Sequence, residues 1–289
     1  MKKLMLFPMA LLFVAHLVSA AELKTRVVNV ATPEKSDKEV MVFAETEGRV
    51  LWVDANDEAM LSALRTAQKE GLNVALRFDD ETGKIFGAEL LEVGNLEESY
   101  EAKSDKQSIY SPTVMNSLGD AQSLFDRQDG NTKRWSQCFN RAHGWSYDMW
   151  KMSGVNSMKV FIFFTQRYIK EYRYRWWFHV APFVIVQTNS GPVEHVMDVS
   201  FSKGPIQMHL WTDMFMKNRA ACPTVERYSQ YRNNQWEQDC YLIQASMYYR
   251  TPKDLELLET QGRQELTWNL NEVREAREEA FRNHRDYNP

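Results

Sequence analysis

Cys138, Ala142, Trp145, Met149 and Met152 recur at i, i+4, i+7, i+11 and i+14 and stop at Gly154, the spacing of one face of an α-helix. Three β-branched and aromatic runs follow: Met158 to Thr165, Arg175 to Gln187 and Val193 to Val199, the last two divided by an Asn189-Ser-Gly-Pro turn. A helix followed by antiparallel strands commits this half of the chain to an α+β fold with the helix laid on the sheet. It also places a thiol, Cys138, in the first turn of that helix.

The N-terminal half repeats the α+β character on a smaller scale. Arg26 to Val30, Val40 to Glu45 and Arg49 to Val53 read as a strand meander. Asn56 is expected to cap a helix that starts at Asp57 and Glu58, turns Met60, Leu61, Leu64 and Ala67 to one face, and stops at Gly71. Leu72 to Phe78 and Lys84 to Leu91 then form a hairpin around Asp79 to Gly83. The charged stretch EESYEAKSDKQ, from Glu97 to Gln107, has the composition of an exposed, protease-accessible linker. A helix capped by Ser111, with Pro112 first and Val114, Met115, Leu118, Ala121 and Phe125 inward, should follow it. The expected plan is a leader over 1–20, a small α+β unit over 21–96, a linker over 97–111 and a larger domain over 112–289. The larger domain has the element order of a papain-like or transglutaminase-like core.

The leader reads as an export signal peptide: Lys2 and Lys3, an apolar run from Leu4 to Val18, and a small-residue cleavage site at Val18-Ser-Ala20. As a membrane span the run is short, and Pro8 and His16 interrupt it. Without these residues the chain has 269 residues, 33 basic against 39 acidic, a net charge of −6. No basic stripe interleaved with aromatics tracks a nucleic-acid backbone, so nucleic acid is not expected. No other apolar run approaches spanning length, so stable membrane insertion is not expected either, and the leader implies a periplasmic or secreted localisation. A phosphate-cradling glycine loop and a metal-ligand cluster are both missing from the sequence, so no cofactor and no metal are expected.

Three cysteines in an exported chain leave one unpaired. Cys222 and Cys240 enclose the polar stretch Pro223 to Asp239 and are the natural disulfide, with Cys138 free. The other possibility pairs Cys138 with either of them. A free thiol at a helix start gains from the partial positive charge there. His179, between Phe178 and Val180, is placed to face it from a strand, and Asp198, the acid in the run Val196 to Phe201, is placed to orient the imidazole. Each residue also has a plainer reading: Cys138 as core, His179 as a satisfied strand histidine, Asp198 as the cap of the turn that follows. His143 is the rival histidine and reads as structural. Leu255 to His284 is charged and helical, with one apolar stripe.

Cys138-Phe-Asn-Arg-Ala-His143, Phe178-His-Val-Ala-Pro182, Val196-Met-Asp-Val-Ser-Phe-Ser-Lys-Gly-Pro205 followed by Trp211, and Tyr248-Tyr-Arg-Thr-Pro252 resemble the bacterial protein-glutaminases. A weaker similarity covers residues 56 to 125. The resemblance implies hydrolysis of protein-bound glutamine to glutamate and ammonia through a Cys138, His179, Asp198 triad. It also implies an N-terminal segment that covers the site until an activating protease cuts it away, with glutamine-bearing proteins or peptides as partners. Ser136 and Gln137 before the thiol, the low cysteine count and the basic, aromatic segment Gln166 to Trp177 depart from the family pattern. The same three residues would also serve acyl transfer to an amine or peptide cleavage. A non-catalytic exported binding or inhibitory module is the remaining alternative.

Overall fold

The computed structural model describes residues 20–91, 110–134, 136–262 and 267–282. The expected leader, apart from Ala20, and the EESYEAKSDKQ linker lie outside the described residues. Strands β1 (Ala20–Val30), β2 (Glu39–Ala44), β3 (Glu47–Asp54), β4 (Asn73–Asp79) and β5 (Ile85–Leu90) form an antiparallel sheet in the order β3-β2-β1-β4-β5. Val74, Leu76 and Phe78 of β4 are buried while their neighbours are not, the period-two pattern of a sheet covered on one face. The cover is α1 (Glu58–Glu70), which buries Leu61, Leu64 and Ala67. Its cap is Asp57, whose carboxylate accepts the Met60 N–H at 3.0 Å, because Asn56 is spent on the Asp54 turn. Gly71 ends the helix in the left-handed region at φ 67°.

The second sheet, in the order β10-β9-β8-β7-β11, contains β7 (Met158–Phe164), β8 (Phe178–Thr188), β9 (Gly191–Val196), β10 (Ile206–Gln207) and β11 (Cys240–Ser246). These pairings are antiparallel. β7 pairs with Phe178 to Phe183 of β8 and leaves Ile185 and Val186 to a short parallel strand, β6 (Val114–Met115). The helix expected from Ser111 therefore does not form. Val114 and Met115 extend the sheet edge, and α2 (Leu118–Phe125) starts later, capped by Ser117, whose hydroxyl accepts the Asp120 N–H at 3.1 Å. Ala121 and Phe125 are inward as expected, whereas Val114 and Leu118 are about half exposed (48% and 51%).

The long helix α3 (Cys138–Ser153) is buried nearly all round as far as Met149. It lies between β8 and the last helix, α8 (Leu270–Ala280), and the two helices touch so closely that a Cβ on Gly144 would meet Phe281 Cε2 at 2.7 Å. Met152, expected inward, is 42% exposed. The basic, aromatic connection Gln166 to Trp177 opens with α4 (Gln166–Tyr172), and Arg175 to Trp177, expected to begin the next strand, pair instead with β3 of the first sheet. Beyond Asp198 come α5 (Met208–Asp213), α6 (Tyr228–Asn233) and α7 (Pro252–Gln261). Residues 223 to 239 are more than a polar loop, since Tyr231 of α6 stacks on Phe163 at 4.6 Å.

Candidate active site

Cys138 is the first residue of α3, and Gln137 occupies the cap position without a capping side chain. The leading N–H groups of a helix have no acceptor within it, so they place partial positive charge beside the sulfur. The Cys222–Cys240 disulfide forms and Cys138 is a free, buried thiol, as the cysteine arithmetic expected.

β8 passes under α3 and presents His179, the second residue of the strand, beside Cys138, near enough for the thiol to act on the ionisation of the imidazole. His179 Nε2 donates to Asp198 Oδ2 at 2.7 Å, which leaves Nδ1 for the thiol. Asp198 is not in a strand: β9 ends at Val196, and Asp198 heads the turn beyond it. Its backbone carbonyl accepts the Phe201 and Ser202 N–H groups at 3.1 and 2.9 Å, and its Oδ1 accepts the Ser200 N–H at 3.3 Å. Oδ1 thus caps the turn while Oδ2 meets the imidazole.

Burial disfavours the charge on His179, but the Asp198 charge and hydrogen bond, with the Cys138 contact, outweigh it and raise the imidazole to about 9. Burial likewise opposes ionisation of Asp198, and His179, the Trp211 hydrogen bond and the Arg141 charge prevail, holding the carboxyl below its ordinary value. Trp211, which follows the Asp198 motif, has no role in the site on sequence grounds alone. Its indole Nε1–H donates to Asp198 Oδ2 at 3.0 Å, and a buried indole needs such an acceptor. The rings of Phe201 and Phe215 close over the imidazole, each 5.0 Å from it.

His143 is not part of this group. Its Nδ1 sits 2.8 Å from Lys159 Nζ, and Lys159 also donates to the Tyr249 carbonyl at 2.6 Å. Burial, then the Lys159 and Arg250 charges, hold His143 well below its ordinary value, so it accepts from Lys159 as a neutral ring.

Neither residue before the thiol is available as an oxyanion donor in this form. Ser136 Oγ donates to the Lys133 carbonyl at 2.8 Å. Gln137 reaches the N-terminal sheet: its Nε2 donates to both carboxylate oxygens of Glu47 at 3.3 Å, and its Oε1 accepts the Gly48 N–H at 3.3 Å. On the His179 side, the Trp177 indole N–H donates to the Glu47 carbonyl at 2.6 Å. The start of β3 is thereby wedged between the residue before Cys138 and the strand that carries His179. Cys138 is 1% exposed, His179 5% and Asp198 0%. The cavity of 330 Å³ at the seam between the two sheets, lined by Arg49, Trp52, Glu81, Arg173 and Arg175 among others, touches none of the three.

Among the described residues no cluster of His, Cys, Asp and Glu is placed to hold a metal ion, and no helix is long and apolar enough to cross a membrane. What the geometry defines is an imidazole hydrogen-bonded to a carboxylate and set beside a thiol at a helix start, on a mixed α+β fold with antiparallel sheets. Residues 130–215, which contain all three and Trp211, match the family model described as Glutaminase. The chain is similar in structure to pro-protein-glutaminase, with a TM-score of 0.55 at 16% identity over 79% of this chain and 83% of that one. A mutant of pro-protein-glutaminase gives a TM-score of 0.56 at 15% identity over the same shares. The structural likeness establishes a shared fold, and with the family match it supports the protein-glutaminase family and an amidohydrolase. Comparison with curated protein sequences gives no match.

Proposed function

We propose that the protein is an exported protein-glutamine deamidase in which Cys138 is the nucleophile, His179 the general acid and base, and Asp198 the orienting acid. The observation that carries this reading is the contact sequence from Cys138 through His179 to Asp198, lying inside the span matched by the glutaminase model. With the imidazole raised to about 9, the thiol proton already rests on His179 Nδ1 in the first half-reaction, and the sulfur attacks the carboxamide carbon of a substrate glutamine. The backbone N–H of Cys138, at the helix start, faces the developing oxyanion. The tetrahedral intermediate collapses to a thioester as His179 returns the proton to the departing ammonia. Water then adds to the thioester with His179 as base, glutamate is released, and the thiol is restored.

In the same reading residues 21–96 are an inhibitory unit, removed by a protease at the 97–107 linker. Support comes from Glu47 and Gly48, which hold Gln137 beside a thiol that is only 1% exposed. The order of nucleophile helix and antiparallel sheet supports placing the core with papain-like and transglutaminase-like enzymes. Mass analysis of a glutamine peptide incubated with the cut chain and a primary amine separates the chemistries. Glutamate in an intact peptide is the expected product; amine incorporation or chain cleavage would replace the deamidase with a transferase or a protease, and an unreacted peptide would favour a binding module.

A further inference from the structure

The face of the larger sheet's domain that meets the N-terminal unit is basic where the unit is acidic. Lys170 Nζ lies 2.9 Å from Asp37 and 3.1 Å from Glu34, and Arg173 lies 2.9 Å from Glu39. Lys253 faces Glu45 at 3.9 Å. One pair runs the other way, Arg26 with Glu256 at 3.1 Å. Along the same ledge the backbone of Arg175 to Trp177 is a strand edge. The Arg175 carbonyl accepts the Val50 N–H at 2.7 Å, and the Trp177 N–H donates to the Gly48 carbonyl at 2.9 Å. The seam cavity opens onto Arg173 and Arg175.

Exposed ion pairs of this kind contribute ~0–1 kcal/mol each, too little to be what holds the unit in place. Charge of one sign along a binding edge selects partners and steers them. If the unit departs, Lys170 and Arg173 lose their acidic partners together with the edge's two backbone hydrogen bonds. A polypeptide in extended conformation restores the backbone bonds by strand addition, and acidic side chains restore the ion pairs.

We infer that Lys170, Arg173 and the strand edge from Arg175 to Trp177 form the docking surface for an acidic, extended stretch of the substrate polypeptide. The inference rests on the deamidase reading and its removable unit, and adds the class of sequence that surrounds the target glutamine.

The test uses the chain cut in the 97–107 linker with both fragments present and a fluorophore on the N-terminal one. Two short glutamine peptides, alike except for alternating glutamates or alternating lysines, compete for the ledge. The glutamate peptide is expected to release the labelled fragment at a concentration roughly tenfold lower than the lysine peptide. That ratio should fall towards one in Lys170→Gln/Arg173→Gln and at high salt. Because the ratio compares two peptides on one protein, it is independent of how tightly each variant holds the fragment. Equal potency, release by neither peptide, or a ratio untouched by the double substitution overturns the inference. Ammonia is measured in the same samples. Selective release without ammonia keeps the acidic docking surface and removes the deamidase, while ammonia without selectivity does the reverse.

Discussion

Gln137, the residue before the thiol, hydrogen-bonds both carboxylate oxygens of Glu47, a side chain 3% exposed and also paired to Arg49. Its carboxamide therefore joins the end of the nucleophile helix to the unit proposed to cover it. Glu47→Ala deletes the acceptor that Gln137 and Arg49 share, a loss of ~1–3 kcal/mol for a buried charged hydrogen bond. If that cost falls on docking of the unit, Cys138 in the uncut chain should react with iodoacetamide roughly 5 to 150 times faster than in the unsubstituted chain. An unchanged rate would show that Glu47 does not hold the cover closed.

The Asp198 carboxylate has two donors on one oxygen, His179 Nε2–H at 2.7 Å and the Trp211 indole N–H at 3.0 Å. Asp198→Asn is predicted to lower kcat of the cut chain by about 10³ to 10⁴, because the imidazole loses the acceptor that keeps Nδ1 free for the thiol. Trp211→Phe removes one hydrogen bond to a charged group, worth ~1.5–3 kcal/mol, and should lower kcat about 10- to 150-fold with little change in KM. A KM effect without a kcat effect would place Trp211 in substrate binding.

The same pair sets a stability profile. His179 is raised from 6.5 to about 9, so its contribution is complete below pH 6.5 and is lost as pH climbs through about 9. Asp198 is lowered from 3.8, so its contribution is present above that value and is lost as pH falls below it. Chemical denaturation of the parent chain and of His179→Gln should show a stability difference that shrinks between pH 6.5 and about 9. A constant difference across that window would mean that the imidazole is not ionised in the fold.

Much of this arrangement was legible in the sequence, and two of the exceptions share a cause. β-branched and aromatic runs marked the strands, the apolar face of Cys138 to Met152 marked α3 although Met152 itself is exposed, and cysteine proximity marked the disulfide. Ser111 and Pro112 signalled a helix start, but Val114 and Met115 met an open stretch of β8, a partner about 70 residues away in sequence that no local signal reveals. Arg175 to Trp177 look like the start of the strand that runs to Gln187 for the same reason: their partner is β3 of the other sheet. Asp198 was assigned to a strand because the run from Val196 to Phe201 is mostly apolar. Its place after the strand follows from a turn it caps itself. The role of Trp211 was hidden because an indole carries no charge pattern; its need for an acceptor was the usable clue.

Helix α3 also meets α8 more closely than side chains normally allow. Ala in place of Gly144 should gain up to ~1 kcal/mol of helix propensity. Against that, its Cβ would stand 2.7 Å from Phe281 Cε2, and Phe281 is fully buried against Trp145. Overpacking at ~1–3 kcal/mol outweighs the propensity gain, so Gly144→Ala is predicted to lower the unfolding free energy. A more stable variant in denaturant titration would show that the α8 end yields easily.

The central claim is that Cys138 releases ammonia from protein-bound glutamine once the N-terminal unit is cut free. Ammonia release from an unfolded, glutamine-rich protein is the direct measurement, comparing the chain cut near Lys103, the uncut chain and cut Cys138→Ala. The account predicts release from the cut chain alone. Equal release from cut Cys138→Ala, or none from the cut chain with its thiol free, would contradict it.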